Sequence, residues 1–287
     1  MTTKKDQRIG LILKMAQNSS SKNRVLTFIR SKLNSNKHFS VLSANPEILL
    51  LALNTNRLAS ILLSSDVLIN DGVGLSIASD FLAEKTYKNK FLAFFVYIFQ
   101  GLKQGFITFF LKDKKVLKGR DLFMDIVRLG NKLNWKIFLL GGKKDEALKT
   151  KKKLEASFKQ IKIRQDQGPI LNSFGQPVSK NEKVKQKVTI RKINSFKPDI
   201  VFVGLGAPKQ EYWIDNNAKN LDSKGIMVVG GTYNYIAGNM RLPLSFFEKA
   251  GLEWLWRLII EPRRIMRIIN ATIVFPIKVF LYKLNQD

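Results

Sequence analysis

The chain has 287 residues, enough for about two domains at a prior of roughly 150 each, and with 45% hydrophobic and 25% charged residues it excludes wholesale disorder. It has no Cys, which excludes disulfides, zinc fingers, iron–sulfur clusters and Cys nucleophiles, and a single His, His38, that any imidazole-based site must use. Its 49 basic and 22 acidic residues leave a net charge of +27, which favours a polyanionic partner: nucleic acid, an anionic membrane face or phosphorylated substrates.

The first residues hold no apolar run of signal-peptide length before the next charge, so nothing there suggests export. Six short apolar runs then read as strands: His38–Leu42, Asp66–Ile69, Lys136–Leu140, Ile161–Arg164, Asp199–Val203 and Ile226–Val229. Helical patterns lie between them, near 47–64, 73–84, 120–134, 145–159, 180–195 and 209–220. Such alternation predicts a parallel sheet flanked by helices, a Rossmann-like α/β fold. The most apolar window, Phe91–Leu111, approaches the length of a membrane span. Gln100, Lys103 and Gln104 sit at its middle, where a Lys costs about 2.5–3.5 kcal/mol. The window therefore reads as two short helices meeting near Gly101 and Gly105, either lying in a membrane interface or packed on the protein. Past Gly238 only helices are expected, bounded by Pro243, Gly251, Pro262 and Pro276. This divides the chain into a core, 1–240, with an apolar insertion at about 88–112, and a helical C-terminal appendage, 241–287.

Three strand ends run into glycine: Gly141–Gly142, Gly204 with Gly206, and Gly230–Gly231. Glycine lets the backbone turn sharply and approach a ligand, and the following helix offers N–H groups to phosphate. In open α/β sheets ligands bind at the carboxyl ends of strands, so a nucleotide-type ligand is expected here. No Walker A loop is present. Asp71, in Asn70–Asp71–Gly72, falls at a strand end, where a carboxylate can take a proton from an attacking hydroxyl; a turn or helix-cap Asp is the other reading. In Gly206–Ala207–Pro208–Lys209–Gln210–Glu211, Lys209 suits a phosphate and Gln210 a sugar or base; an ordinary exposed helix start is the alternative. Around Trp254, Trp256, Arg263, Arg264 and Arg267 the tail has the composition of an interfacial helix, with a core-packed helix bearing solvated arginines as the alternative.

These strings resemble one family. DGVG after a strand, Gly119–Arg120–Asp121, FLLGG, PDIVFVGLGAPKQEYWI, GGTYNYIAG and LEWLWRLIIEPRRIMR are similar to the WecG/TagA/CpsF glycosyltransferases, over roughly 40–84 and 116–275. The resemblance implies a UDP-sugar donor, an N-acetylhexosamine or its derivative as the sugar moved, and a polyprenyl-diphosphate-linked sugar as acceptor. It implies work at the cytoplasmic face of the membrane, in the synthesis of capsule, teichoic acid or related cell-wall polysaccharide. It places the general base on Asp71 and donor contacts on Ser43, Asn45, Gln210 and Asn234, and it closes Arg257, Arg264 and Arg267 over the diphosphate. Inversion at the anomeric carbon and a homo-oligomer, dimer or trimer, are implied as well. No Asp-x-Asp is present, so no metal or other cofactor is expected. Two departures stand out: Val116, beside Lys115, occupies a position that is usually Arg in the family, and the Phe91–Leu111 stretch is additional.

Three rivals are weaker. Nucleic-acid binding fits the charge, but the basic residues are spread along the chain and the aromatics sit in apolar blocks, so no nucleic-acid partner is expected. A NAD-type oxidoreductase lacks G-x-G-x-x-G after the first strand. A non-catalytic membrane scaffold leaves Asp71 without a use.

Overall fold

The computed structural model describes residues 4–19, 21–110, 117–244, 246–247 and 252–285. Leu111, Lys115, Val116 and Gly251 lie outside them. Two helices that the sequence reading did not anticipate come first, α1 (Lys4–Asn18) and α2 (Lys22–Asn34). The six expected strands all form: β1 (Phe39–Ala44), β2 (Val67–Asn70), β3 (Lys136–Gly141), β4 (Lys162–Asp166), β5 (Ile200–Gly204) and β6 (Gly225–Val228). They make one sheet in the order β2-β1-β6-β5-β3-β4, with every pairing parallel.

Side chains alternate across a strand, so β1, β2, β3, β5 and β6 each feed two cores, whereas the edge strand β4 gives Ile163 to one and leaves Lys162 and Arg164 exposed. Leu42, Leu68, Phe138, Val201 and Val228 face one layer. Val41, Ile69, Ile137, Phe202 and Met227 face the other. The first layer receives α1, α3 (Pro46–Asn54), α4 (Asn56–Leu63), α5 (Val73–Ala83) and α10 (Lys209–Asn217). The second receives α2, α7 (Gly119–Lys132), α8 (Glu146–Ser157) and α11 (Thr232–Ala237). Helix α9 (Lys180–Phe196) adds Ile193 to the first layer. A strand buried on both faces reads as a continuous apolar run, which is why IVFVG in β5 was legible.

Two expectations change and a third holds. The helix expected over 47–64 is broken at Thr55, which is extended (φ −134°, ψ 105°) between two asparagines. The apolar window forms one helix, α6 (Lys90–Phe110), not two, because Gly101 and Gly105 stay helical. Of the described residues past 240, 253–260 and 262–284 are helical, in α12 (Glu253–Ile260), a 3-10 turn (Pro262–Arg264), α13 (Ile265–Ile269), a π-helical turn (Asn270–Val274) and α14 (Phe275–Leu284). This segment also packs on the sheet domain. Phe275, Val279 and Tyr282 of α14 are buried in the same core layer as Ile9, Ile12 and Leu13 of α1. Lys283, fully buried, donates from Nζ to Phe81 O and to Gln100 Oε1 (3.0 Å), and lies over the rings of Phe81 (4.5 Å) and Tyr97 (4.8 Å). It ties α14 to α5 and α6.

Candidate active site

The carboxyl ends of β1, β2, β5 and β6, the loop after β3 and the start of the C-terminal helices surround one cleft of about 680 Å³. That size suits a small organic ligand. All the site residues expected from sequence line it except Gly141: Ser43, Asn45, Asp71, Gly142, Gly204, Gly206, Lys209, Gln210, Asn234, Arg257, Arg264 and Arg267. Gly141 serves packing. A Cβ there would lie 2.6 Å from the Gly204 carbonyl, and its φ of +99° favours glycine in any case. This close approach lets Gly142 N–H donate to Gly204 O (2.9 Å), which locks the β3 and β5 exits together. Gly206 differs, because an added Cβ meets nothing within 4 Å and the loop stays open to a ligand.

Asp71 follows β2, with its N–H donating to Ala44 O (2.8 Å). Its Oδ1 accepts from the N–H of Gly119 at 3.3 Å, which joins the DG turn to the first residue of α7. Asn45 caps α3, its Oδ1 accepting from Ile48 N–H (2.9 Å). The capping role and the cleft position coexist. His38 bonds Ser223 O through Nδ1 (2.8 Å) just before β1, at the amino end of the strands and so away from the cleft.

Helix α10 brings two polar side chains inside. Gln210 is buried, accepting from Gly206 N–H (3.2 Å) and donating from Nε2 to Glu211 Oε1 (2.9 Å). Burial pushes the Glu211 carboxyl up to about 7, against the lowering effect of the Gln210 bond. Its Oε2 has no hydrogen-bond partner among the described residues. Sequence reading missed Glu211, although an acid directly after Gln210 at a strand–helix junction was a usable signal.

The cleft walls carry nine basic and five acidic residues, so the site favours anions. Beside the C-terminal arginines it is lined by Lys118, which sequence reading missed, and by Arg120, which stood there only as part of the Gly119–Arg120–Asp121 motif. Tyr235 lies between two guanidinium groups, those of Arg120 (5.6 Å) and Arg257 (5.7 Å). Arg267 Nε donates to Glu47 Oε1 (2.6 Å), bridging the C-terminal helices to α3, and Arg264 pairs with Glu261. No sequence signal marked Glu47. Among the described residues no three His, Asp or Glu side chains converge as a metal-binding group.

The chain is 28% identical over 170 residues to a Staphylococcus aureus protein named N-acetylglucosaminyldiphosphoundecaprenol N-acetyl-beta-D-mannosaminyltransferase, covering 59% of this chain and 60% of that one. A Bacillus spizizenii protein of the same name is 25% identical over 239 residues, 83% of this chain and 77% of its own length. Residues 106–287, more than half of the chain, match the family described as Glycosyl transferase WecG/TagA/CpsF, with Ser43, Asn45 and Asp71 lying before the matched stretch. On the extent of that match, the chain belongs to the WecG/TagA/CpsF glycosyl transferase family.

Proposed function

We propose that this protein transfers an N-acetylhexosamine or its derivative from a UDP-sugar to a polyprenyl-diphosphate-linked sugar, in cell-surface polysaccharide synthesis. The observation that carries this reading is the placement of Asp71 on a basic, glycine-edged cleft at the carboxyl end of the sheet. Two relatives named for transfer to N-acetylglucosaminyl-diphosphoundecaprenol support the acceptor class.

In this reading Asp71 accepts the proton of the acceptor hydroxyl as that oxygen attacks the anomeric carbon. The C1–O bond to UDP breaks on the opposite face, so the configuration inverts. The leaving diphosphate takes up negative charge beside Arg257, Arg264, Arg267 and Lys209. Glu47 and Glu261 hold Arg267 and Arg264 until the diphosphate competes for them. Ser43, Asn45, Gln210 and Asn234 orient donor groups, and Glu211 fixes the Gln210 amide. These cations do the work of a metal, so catalysis is metal-independent. The acceptor lipid places the enzyme on the inner face of the membrane as a peripheral protein. A homo-oligomer is compatible with this, and a nucleic-acid partner has no part in it.

The test is a screen of UDP-N-acetylhexosamines against a short-chain polyprenyl-diphosphate N-acetylglucosamine, read by UDP release and product mass. A disaccharide-lipid product with at least one donor is expected. Hydrolysis or no turnover with every donor would contradict the reading.

A further inference from the structure

Helix α6 is inside out. A helix of a water-soluble protein turns its apolar stripe to the core and its polar groups to solvent. In α6 the inward stripe includes Gln100 and Gln104, both buried, beside Ala93 and Tyr97. Gln104 Nε2 donates to Glu84 Oε1 (2.9 Å), and Gln100 Oε1 accepts from Lys283 Nζ. The outward stripe is Phe91, Phe95, Phe99, Leu102 and Phe106, between 56% and 77% exposed and spaced by three or four residues. The middle of the window looked unfit for a membrane because of Gln100, Lys103 and Gln104; the two glutamines are bonded inside the protein, and Lys103, exposed at the edge of the outer stripe, pairs with Glu84 (3.3 Å).

We infer that the outer face of α6 docks into the interface of an anionic lipid bilayer, as a second membrane contact beside the C-terminal helices. Two further observations point to lipid as the occupant. Lys85, Lys88 and Lys90 are exposed at the start of the helix, and the whole chain carries +27, so anionic headgroups attract this end. The face also continues into the C-terminal segment. Pro262–Leu284 is long and apolar enough to cross a membrane, by length and composition, and 17% of its most apolar window is buried. Its Phe280 meets Phe94 (5.6 Å), Phe94 meets Phe95 (5.4 Å) and Phe95 meets Phe91 (5.2 Å). The first turns of the same segment place Arg264 and Arg267 in the cleft, so docking both elements sets the cleft at the membrane surface, where an acceptor on a lipid anchor arrives. The inference rests on the proposed function only for that last consequence.

The chain has no Cys, so Phe99→Cys introduces a single thiol for an environment-sensitive fluorophore. Val184→Cys on α9, also exposed, is the control. The full chain is mixed with phosphatidylglycerol–phosphatidylcholine vesicles free of acceptor. A blue shift at 99 and none at 184 is expected. The Phe91→Ser, Phe95→Ser, Phe99→Ser, Leu102→Ser variant should lower vesicle partitioning about tenfold or more. Its turnover with a water-soluble short-chain acceptor should stay unchanged, so failed docking is distinguishable from a failed catalytic reading. No shift at 99 on vesicles, or a shift that follows protein concentration without lipid, would overturn the inference. The latter outcome would identify the face as a contact between copies. If the fourfold variant does not fold, the labelled Phe99→Cys protein decides alone.

Discussion

The cleft and α6 bury polar groups for opposite purposes. At the carboxyl edge of the sheet Gln210 and Glu211 are buried on the cleft wall, with the Gln210 amide bonded to Gly206 and Glu211 and only Glu211 Oε2 left without a partner among the described residues. In α6 Gln100 and Gln104 are buried with their chemistry consumed by Lys283 and Glu84, and the apolar atoms face outward. Leaving a buried polar group unpaired costs about 1–3 kcal/mol. In α6 that cost is removed by partners from the same chain. Glu211 Oε2, on the cleft wall, has no such partner among the described residues. Polar burial alone therefore does not mark a functional site.

The comparison breaks most easily at the joint between the two regions. Phe275→Ala removes a ring that is 1% exposed from the layer shared by α1 and α14. A loss of about 3–5 kcal/mol in urea unfolding is expected. An effect below about 1 kcal/mol would show that α14 contributes little to the core. For the same reason, cutting the chain near Gly238 should leave an unstable protein and not a folded core.

On the cleft side, Asp71→Asn should keep the fold and UDP binding and lower turnover by about 100-fold or more. Turnover within a few-fold of wild type would reduce Asp71 to a turn residue that holds Gly119. Replacing Arg264 and Arg267 by Ala should lower turnover by roughly 10–100-fold, since groups placed on developing charge act mainly in the transition state. Vesicle binding should change little, because the outer face of α6 remains. Equal losses in both readouts would merge the two regions into one membrane surface.

Glu211 gives a pH signature. Its carboxyl is raised to about 7 in the fold and titrates near 4.5 when unfolded. Between those values the folded state binds more protons, so this group's contribution to stability is full below 4.5 and is lost as pH rises through 7. Glu211→Gln should therefore be more stable than wild type at pH 8, by about 1 kcal/mol or more, and show no such gain at pH 4.5. Urea midpoints at the two pH values check this, and a gain independent of pH would contradict it. The smallest expected effect is that of EDTA, which should leave turnover unchanged. Inhibition reversed by magnesium or manganese would show that the cleft cations do not suffice.

Much of the sheet and the cleft was legible because their signals are local. An apolar run of strand length, ending in Gly or Asp-Gly, fixes both the strand and what stands at its carboxyl end, as in IVFVG before Leu205 and VLIN before Asp71. What was not legible depends on partners distant in sequence. Periodicity shows that α6 has two faces but not which one is covered, because that was decided by Lys283, 183 residues beyond Gln100. The pairing of Glu47 with Arg267 spans 220 residues and has no local mark. Gly141 looked like its neighbour Gly142, and only the 2.6 Å approach to Gly204 separates packing from lining.

The most direct measurement is the anomeric configuration of the product. Wild-type protein is given an α-linked UDP-N-acetylhexosamine and a short-chain polyprenyl-diphosphate N-acetylglucosamine, and the new linkage is read by NMR. A single displacement driven by Asp71 yields a β linkage together with one UDP per bond formed. An α linkage, or UDP release without a new bond, would contradict it.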